Sequence, residues 1–362
     1  MRAMATQVES NMVLPSPCHL LAVSPETVVQ TGLLSVVGLW LLVVLLGVGL
    51  FAYLYIRYID VLVRIFEEKP FFIIPRGEPV PGAEDVSFQT PDGLTLRGCY
   101  LRATGPRRGV ILFGLEYGSN RWSCVPYCQN LLANGFDVFA FERRNQGESD
   151  RMPGYEPLQW ITNWEVVDTQ AAIAYLKTRP DANPAGIGLF GVSKGGGAGL
   201  LAASRNPYVR CCVTDGAFAT YTTMVPYMRK WVGIYSRRHF LRAYVPSWFY
   251  GLIGRAGLRR IGRARHCRFP HLERAIARLA PRPLLMIHGA NDTYIKPDMA
   301  RALFDLAGEP KEFWLVEGAK HNQALNVANG EYQRRVLEFF VKHLSKEGVR
   351  GQTAGLRLIA ES

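Results

Sequence analysis

Short apolar runs alternate with helix-length segments along most of this chain, and this alternation constrains the fold more than any other feature. Continuous apolar runs such as Gly109–Phe113 and Gly186–Val192 predict strands that are buried on both faces. Segments such as Val166–Thr178 and Lys194–Ser204 predict the helices between them. Because strands that alternate with helices form a mostly parallel sheet with helices on both faces, the pattern predicts an α/β domain over residues 84–345.

The start of this domain predicts a hairpin, because Asp85–Gln89 and Leu94–Leu101 flank the turn sequence Pro91-Asp92-Gly93. The hairpin would give the sheet an antiparallel edge. The remaining strands are predicted at Asp137–Phe141, Val209–Thr214, Leu284–His288 and Glu312–Val316, and a closing helix at Glu331–Leu344. Residues 346–362 are predicted to be a C-terminal tail.

Residues 218–280 interrupt the alternation between two predicted strands. We expect them to form a helical cap insert over the carboxyl edge of the sheet, where open α/β sheets bind their ligands. Between Phe218 and Arg282 the chain has 14 Lys or Arg residues and only Glu273 as an acid, a balance of 14 − 1 = +13. The net charge of the whole chain is +12, so its basic character belongs to this insert.

Aromatic residues are interleaved with the arginines of the cap insert. Such a surface can bind nucleic acid or an anionic membrane, and a solvated basic lid is the plain alternative. Each basic residue near an anionic leaflet contributes about 1 kcal/mol to membrane binding. Because an apolar helix is also predicted, we expect an anionic membrane surface as the partner of the cap and expect no nucleic acid.

The stretch Gly32–Ile56 contains no charged residue. As a helix it would be about 37 Å long, enough to cross the ~30 Å apolar core of a bilayer. We therefore predict a single transmembrane helix over residues 32–56, with an N-terminal tail over 1–31 and a juxtamembrane linker over 57–83. A cleaved signal peptide, whose apolar core spans roughly 7–15 residues, and a buried soluble helix are the alternatives.

Basic residues lie mainly on the C-terminal side of the apolar stretch, at Arg57, Arg64, Lys69 and Arg76, against Arg2 on the other side. Because Lys and Arg accumulate in cytoplasmic flanks, this asymmetry predicts that the folded domain is cytoplasmic. The seven cysteines show no CxxC spacing and no zinc-ligand pattern, which favours reduced thiols.

The sequence Gly191-Val192-Ser193-Lys194-Gly195 matches G-x-S-x-G between a predicted strand and a predicted helix. In that context the pattern indicates a nucleophile elbow, a sharp turn that exposes the serine hydroxyl above the sheet. Small residues two positions before and after the serine leave room for the neighbouring strand and helix. The backbone N–H of Lys194, at the start of the helix, would face a developing oxyanion. An ordinary glycine-rich turn is the alternative.

A serine hydroxyl is a weak nucleophile unless a base takes its proton. His321 follows the predicted strand Glu312–Val316 and is the candidate base. Asp292 follows the strand that ends near His288, and its carboxylate could orient the imidazole. Asp215, just after Val209–Thr214, is the second candidate for the acid, whereas His288 is interpreted as a buried structural histidine.

The order Ser193, Asp292, His321 is that of the α/β hydrolases, and residues from about 84 to 344 resemble an α/β-hydrolase domain. Gly-Glu-Ser at 147–149, after Glu142-Arg143-Arg144-Asn145, is similar to that family's D-x-R-G-x-G-x-S turn. The stretch Lys311–Asn322 resembles the membrane-anchored lipase, esterase and depalmitoylase-like branch. The resemblance implies no metal and no organic cofactor.

One segment departs from the pattern of the family, which often has His-Gly after its third strand. Here the sequence is Phe113-Gly114-Leu115-Glu116. An amide needs no particular side chain, so the resemblance implies that the Leu115 N–H is the second oxyanion donor. We expect the carboxylate of Glu116 to point outward, towards Arg121 or Arg144.

Together these features predict acyl transfer through an acyl-enzyme on Ser193, with carboxylic esters or thioesters of lipid-like acyl groups as substrates. A serine peptidase of the same fold is one alternative, because some of these enzymes select peptides. A catalytically silent, membrane-bound scaffold is the second alternative.

Overall fold

The computed structural model describes residues 25–68, 74–235 and 245–345. The remainder includes most of the predicted N-terminal tail, the whole predicted C-terminal tail, and parts of the predicted linker and cap. The chain divides into two compact units, one ending at Arg57 and one beginning at Tyr58.

The first helix, α1, spans Pro25–Glu67. Its portion from Gly32 onward is long and apolar enough to cross a membrane, by length and composition. This helix is longer than the predicted transmembrane segment. It begins inside the predicted tail and continues well into the predicted linker. The extension is stable because Ile59, Leu62 and Phe66, at helical spacing, are buried within the second unit.

Eight strands form one sheet in the order β1-β2-β4-β3-β5-β6-β7-β8. Strands β1 and β2 form the predicted hairpin, β2 also pairs antiparallel with β4, and the remaining pairs are parallel. The mostly parallel sheet is therefore confirmed. The strands are β1 Glu84–Gln89, β2 Thr95–Leu101, β3 Gly109–Gly114, β4 Phe136–Phe141, β5 Ile187–Val192, β6 Val209–Asp215, β7 Leu284–Gly289 and β8 Lys311–Val316.

Helices cover both faces of the sheet. Successive residues of β5 show this, because Leu189 lies in the hydrophobic core on one face and Phe190 in the core on the other. The described helices after α1 are α2 Val125–Ala133, α3 Asn163–Thr178, α4 Lys194–Ala203, α5 Thr220–Tyr235, α6 Ser247–Ala264, α7 Leu272–Ala275, α8 Pro297–Asp305 and α9 Ala324–Leu344, with 3₁₀ turns at Arg121–Cys124 and Ile276–Leu279.

Helices α5, α6 and α7 lie between β6 and β7, where the helical cap insert is predicted. Helices α5 and α6 pack closely, since a Cβ on Gly254 of α6 would lie 2.5 Å from Met224 Sδ of α5. The parallel strands β3, β5, β6, β7 and β8 end at the same edge of the sheet. The residues that follow these strands therefore meet at that edge.

Candidate active site

Ser193 lies between β5 and α4 in a strained backbone conformation, with φ of +49° and ψ of −120°. Such a conformation is costly for a residue with a Cβ and persists only where the surroundings enforce it. The neighbouring glycines are required, because a Cβ on Gly195 would lie 2.2 Å from Gly114 O and one on Gly191 would lie 2.6 Å from Gly196 Cα. The local geometry is that of the sharp strand-to-helix turn that the sequence predicts.

The structure brings the three predicted catalytic side chains together. Ser193 Oγ lies 3.0 Å from His321 Nε2, and His321 Nδ1 lies 2.6 Å from Asp292 Oδ2. Ser193 and Asp292 are buried, and His321 is partly buried. A hydroxyl, an imidazole and a carboxylate joined in this way can transfer the hydroxyl proton to the imidazole while the carboxylate stabilises the resulting cation.

Asp292 is held by the loop that follows β7. Its Oδ1 accepts hydrogen bonds from the backbone N–H groups of Tyr294, at 2.8 Å, and Ile295, at 2.9 Å. This leaves Oδ2 for His321. The predicted structural histidine, His288, is buried, and its Nε2 lies 2.8 Å from Ile295 O. Since a carbonyl oxygen only accepts, His288 Nε2 carries the proton of this bond and fastens the loop to β7.

Asp215, the second candidate for the acid, lies at the end of β6 but bonds elsewhere. Its Oδ2 accepts a hydrogen bond of 2.9 Å from the hydroxyl of Tyr332 on α9. Burial raises the pKa of Asp215 to about 7, although the Tyr332 hydrogen bond acts in the opposite direction. The carboxylate within hydrogen-bond distance of His321 is therefore that of Asp292.

The predicted outward orientation of Glu116 is wrong. The side chain is only 3% exposed, and Oε2 accepts a hydrogen bond of 2.6 Å from Asn322 Nδ2, next to His321. Burial raises the pKa of Glu116 to about 7, against the lowering effect of the Asn322 hydrogen bond. A carboxyl with this pKa stays neutral up to a higher pH than an exposed glutamate, which lowers the cost of its burial.

The two arginines expected to pair with Glu116 have other carboxylate partners. Arg121 contacts Glu142 at 3.1 Å, and Arg144 contacts Asp168 at 2.7 Å, both pairs being buried. They cannot reach an inward-facing carboxyl because their own partners already hold them. These pairs fix the turn that resembles the family motif.

The two amides predicted to form the oxyanion hole follow neighbouring strands. Gly114 at the end of β3 pairs with Gly191 of β5. The peptide of Leu115 therefore lies beside the turn at Ser193, and Lys194 is the next residue after that turn. The buried guanidinium of Arg143 donates a 2.9 Å hydrogen bond to Leu115 O and holds the loop after β3. The function of the two amides as donors to an oxyanion stays a prediction.

The side chain of Lys194 is buried under the elbow. Its Nζ donates to Glu165 Oε1 at 2.7 Å and to Leu158 O at 2.6 Å. Glu165 also accepts hydrogen bonds from Thr162, the N-cap of α3, and from the Tyr155 hydroxyl. Desolvation lowers the pKa of Lys194, with Glu165 opposing that shift. The pair ties the residue after the candidate nucleophile to the first turn of α3.

A small pocket of about 20 Å³ adjoins Ser193, roughly enough for one water molecule. Within the described parts of the chain, no group of three or more His, Cys, Asp or Glu side chains could hold a metal ion. Five of the ten residues that line the pocket are aromatic: Tyr117, Trp160, Phe218, Tyr227 and Tyr294.

Three polar features of the site were not anticipated from the sequence: the Glu116–Asn322 contact, the buried Lys194–Glu165 pair and the Arg143 bond to Leu115 O. The only available signal was local. Glu165 lies three residues after Thr162, which is the spacing of a capping box. This spacing indicates that α3 begins there, but it does not indicate that Glu165 pairs with Lys194.

Comparisons with known proteins agree with this architecture. A family model described as the alpha/beta hydrolase fold matches residues 110–263. Protein YfhR of Escherichia coli strain K12 is 28% identical over 275 residues, which is 73% of this chain and 83% of YfhR. The thiohydrolase aneE of Aspergillus aculeatus is 32% identical over 133 residues, covering 36% of this chain and 40% of that protein.

Two solved structures share the fold. The Pyrococcus furiosus esterase Pf2001 is 20% identical and has a TM-score of 0.56, covering 76% of this chain and all of that one. The α/β hydrolase GrgF from Penicillium has the same identity and TM-score and covers 73% of this chain and 99% of its own. At this identity the structures establish the architecture of the sheet and helices.

Proposed function

We propose that the chain is a membrane-anchored serine hydrolase of carboxylic esters or thioesters, with Ser193 as its nucleophile. The match of residues 110–263 to a family model of the alpha/beta hydrolase fold supports this proposal. The observation that carries the proposal is the continuous chain of contacts from Ser193 Oγ through His321 to Asp292, at 3.0 and 2.6 Å. A hydroxyl in contact with an oriented imidazole is the arrangement that activates a serine.

The proposed reaction has two acyl-transfer steps. Ser193 Oγ attacks the substrate carbonyl carbon while His321 Nε2 takes the hydroxyl proton, and Asp292 stabilises the imidazolium. The backbone N–H groups of Lys194 and Leu115 donate to the tetrahedral oxyanion. The imidazolium protonates the leaving oxygen or sulfur, and a water activated by His321 then releases the acid from the acyl-enzyme.

The pocket favours an apolar acyl group over a charged one, because five of its ten lining residues are aromatic. The similarity to an esterase and to a thiohydrolase supports ester or thioester substrates. With about 20 Å³ beside Ser193, the described state is closed. Substrate entry therefore requires the ring of Tyr227, on α5 of the cap, or of Trp160 to move.

The last turns of α1 reinforce the wall of the pocket. The ring centroid of Phe66 lies 5.2 Å from that of Trp160 and 6.2 Å from that of Tyr227. The indole N–H of Trp160 donates to Phe66 O at 3.0 Å. Because Trp160 and Tyr227 line the pocket, residues 58–67 form part of the hydrolase unit in addition to continuing the proposed anchor.

The proposed cellular setting is a membrane that α1 crosses once, with the hydrolase domain on the cytoplasmic side. The basic flank after the apolar stretch supports this orientation. The basic cap would meet anionic lipid, and acyl substrates would reach Ser193 from the membrane. If vesicles without anionic lipid bind the protein as well as anionic vesicles do, the proposed membrane contact of the cap is wrong.

The activity is tested with the purified full chain in non-ionic detergent and p-nitrophenyl esters of increasing acyl length. The wild type should hydrolyse them with a preference set by chain length, and Ser193→Ala should lose roughly 10⁶-fold in kcat. Ser204→Ala, at the end of α4 and outside the pocket, is the matched control and should keep the wild-type activity. Equal turnover by wild type and Ser193→Ala would refute the proposal.

A further inference from the structure

A second cavity lies on the cap, lined by residues of α6, the loop after it and the start of α3. It has a volume of about 930 Å³, far larger than the pocket at Ser193. Four arginines line it, and no aspartate or glutamate of the described residues does. The four are Arg255, Arg259, Arg263 and Arg268.

Three of these arginines form one row on α6. Arg255, Arg259 and Arg263 follow each other at intervals of four residues, which places them on the same helix face. Like charges at this spacing repel one another and destabilise a helix. In the described parts of the chain none of the three forms an ion pair. No carboxylate oxygen of those parts therefore lies within 4.0 Å of their guanidinium nitrogens.

Arginines beside the cavity behave differently. Arg260 on the same helix lies 2.7 Å from Asp60, and Arg265 lies 3.0 Å from Glu67 and 2.9 Å from Glu156. The insert thus has carboxylate partners for arginines that face α1 and the neighbouring loop. Among residues 25–68, 74–235 and 245–345 the arginine row has no such partner, so its guanidinium groups are available to a ligand.

Aromatic surface lies next to these cations. The rings of Tyr221 and His271 stack with their centroids 3.8 Å apart and their planes 15° from parallel. Trp164, which also lines the cavity, is held by a 2.9 Å hydrogen bond from its indole N–H to His266 O. A wall of this kind can contact the organic part of a ligand whose phosphate meets the arginines.

We infer that this cavity is a binding site for an organic phosphate, either a free phosphate ester or the phosphate headgroup of a lipid. The arginine row of α6 and Arg268 hold the phosphate oxygens, and the Tyr221–His271 stack contacts the organic part. This site is separate from the Ser193 pocket, with which it shares no lining residue among those described. It is also more specific than a general attraction of the basic cap to anionic lipid.

The test measures binding rather than ester hydrolysis, so its result is independent of the proposed activity. The full chain in non-ionic detergent is titrated calorimetrically with the soluble phosphate ester glycerol 3-phosphate and with dihexanoyl phosphatidic acid. The variant Arg255→Gln/Arg259→Gln/Arg263→Gln removes the row. The matched variant Arg108→Gln/Arg205→Gln/Arg278→Gln removes the same charge from exposed positions outside the cavity.

We expect saturable binding of at least one probe, weakened at least about tenfold in the cavity variant, because that variant lacks three of the charged hydrogen-bond donors. The matched variant should bind like the wild type. Tighter binding of phosphatidic acid identifies a lipid headgroup, and tighter binding of glycerol 3-phosphate identifies a free phosphate ester. Binding of neither probe, or equal weakening in both variants, overturns the inference.

Discussion

The two cavities of the second unit are built in opposite ways. The pocket at Ser193 is about 20 Å³, and the groups around it are buried and bonded to one another. The cavity on the cap is about 930 Å³, and its arginines are exposed. In the first, the protein supplies both partners of each polar contact. In the second, the described residues supply only the cations.

This difference determines what a substitution does. Near Ser193, the removal of one partner leaves another buried group without its bond, and that is expensive in a region of low dielectric constant. On the cap, the removal of one arginine leaves water in its place and relieves repulsion. Loss of one charge from a buried ion pair near Ser193 should therefore lower stability, whereas loss of one charge from the arginine row should raise it.

The largest expected effect separates the two candidate acids. Asp292→Asn should lower kcat for a p-nitrophenyl ester by about 10⁴-fold, because the amide would favour the wrong tautomer of His321. Asp215→Asn should keep kcat near the wild-type value, because Asp215 bonds to Tyr332 and not to His321. The comparison is a steady-state assay of both variants, and a larger loss in Asp215→Asn would reverse the assignment.

The next effect concerns the buried pair under the elbow. Lys194→Met should lower the free energy of unfolding by about 3–5 kcal/mol, because it leaves the charge of Glu165 buried and unpaired. Adding Glu165→Gln should recover part of this loss. Denaturant unfolding of both variants in detergent measures the change, with the exposed Lys320→Met as the control. If Lys194→Met lowers the free energy of unfolding no more than the control does, the Lys194–Glu165 pair does not stabilise the site as described.

Glu116 provides a test by pH. The folded-state pKa is raised to about 7 from 4.5. Below pH 4.5 the carboxyl is neutral in the folded and the unfolded state, so its titration does not change the free energy of unfolding there. As pH rises from 4.5 through about 7, the unfolded state ionises first and stability is lost. Glu116→Gln has no carboxyl to titrate and should not lose stability in this range. The free energy of unfolding of the variant minus that of the wild type should therefore be up to about 3 kcal/mol larger above pH 7 than below pH 4.5.

The measurement for Glu116 is a series of unfolding curves across this pH range. The exposed Glu317→Gln is the control and should follow the wild type. A Glu116→Gln curve parallel to that of the wild type at every pH would show that this carboxyl titrates normally.

The smallest expected effect compares neighbouring residues of α6. Arg259→Gln should raise the free energy of unfolding by about 0.4–1 kcal/mol, because it removes two like-charge pairs, with Arg255 and with Arg263. Arg260→Gln should lower it by up to about 1 kcal/mol, because it breaks the exposed pair with Asp60. Denaturant unfolding in low salt measures both changes. If the two substitutions change the free energy of unfolding in the same direction, the proposed difference between the unpaired and the ion-paired face of α6 is wrong.

The features of the site that depend on where the strands end could be predicted from the sequence. Ser193, Asp292 and His321 each follow a strand of a parallel sheet, so their meeting at one edge could be inferred without any knowledge of side-chain packing. The eight-stranded sheet and its antiparallel edge followed from local patterns of apolar residues and turns in the same way.

Contacts between distant side chains could not be inferred. Glu116 and Asn322 are 206 residues apart, and no local pattern indicates that they meet. The outward orientation expected for Glu116 assumed an ionised carboxylate, whereas burial raises its pKa. The extent of α1 was missed for a similar reason, since its last turns are stabilised by packing against Trp160 and Tyr227.

The most direct test of the account is whether Ser193 reacts as an activated nucleophile. The full chain in detergent is treated with a fluorophosphonate probe, and the labelled peptide is identified by mass spectrometry, with Ser193→Ala and His321→Ala treated in parallel. The account predicts one label on Ser193 in the wild type and none in either variant. A folded wild-type protein that stays unlabelled, or a label on another residue, would contradict it.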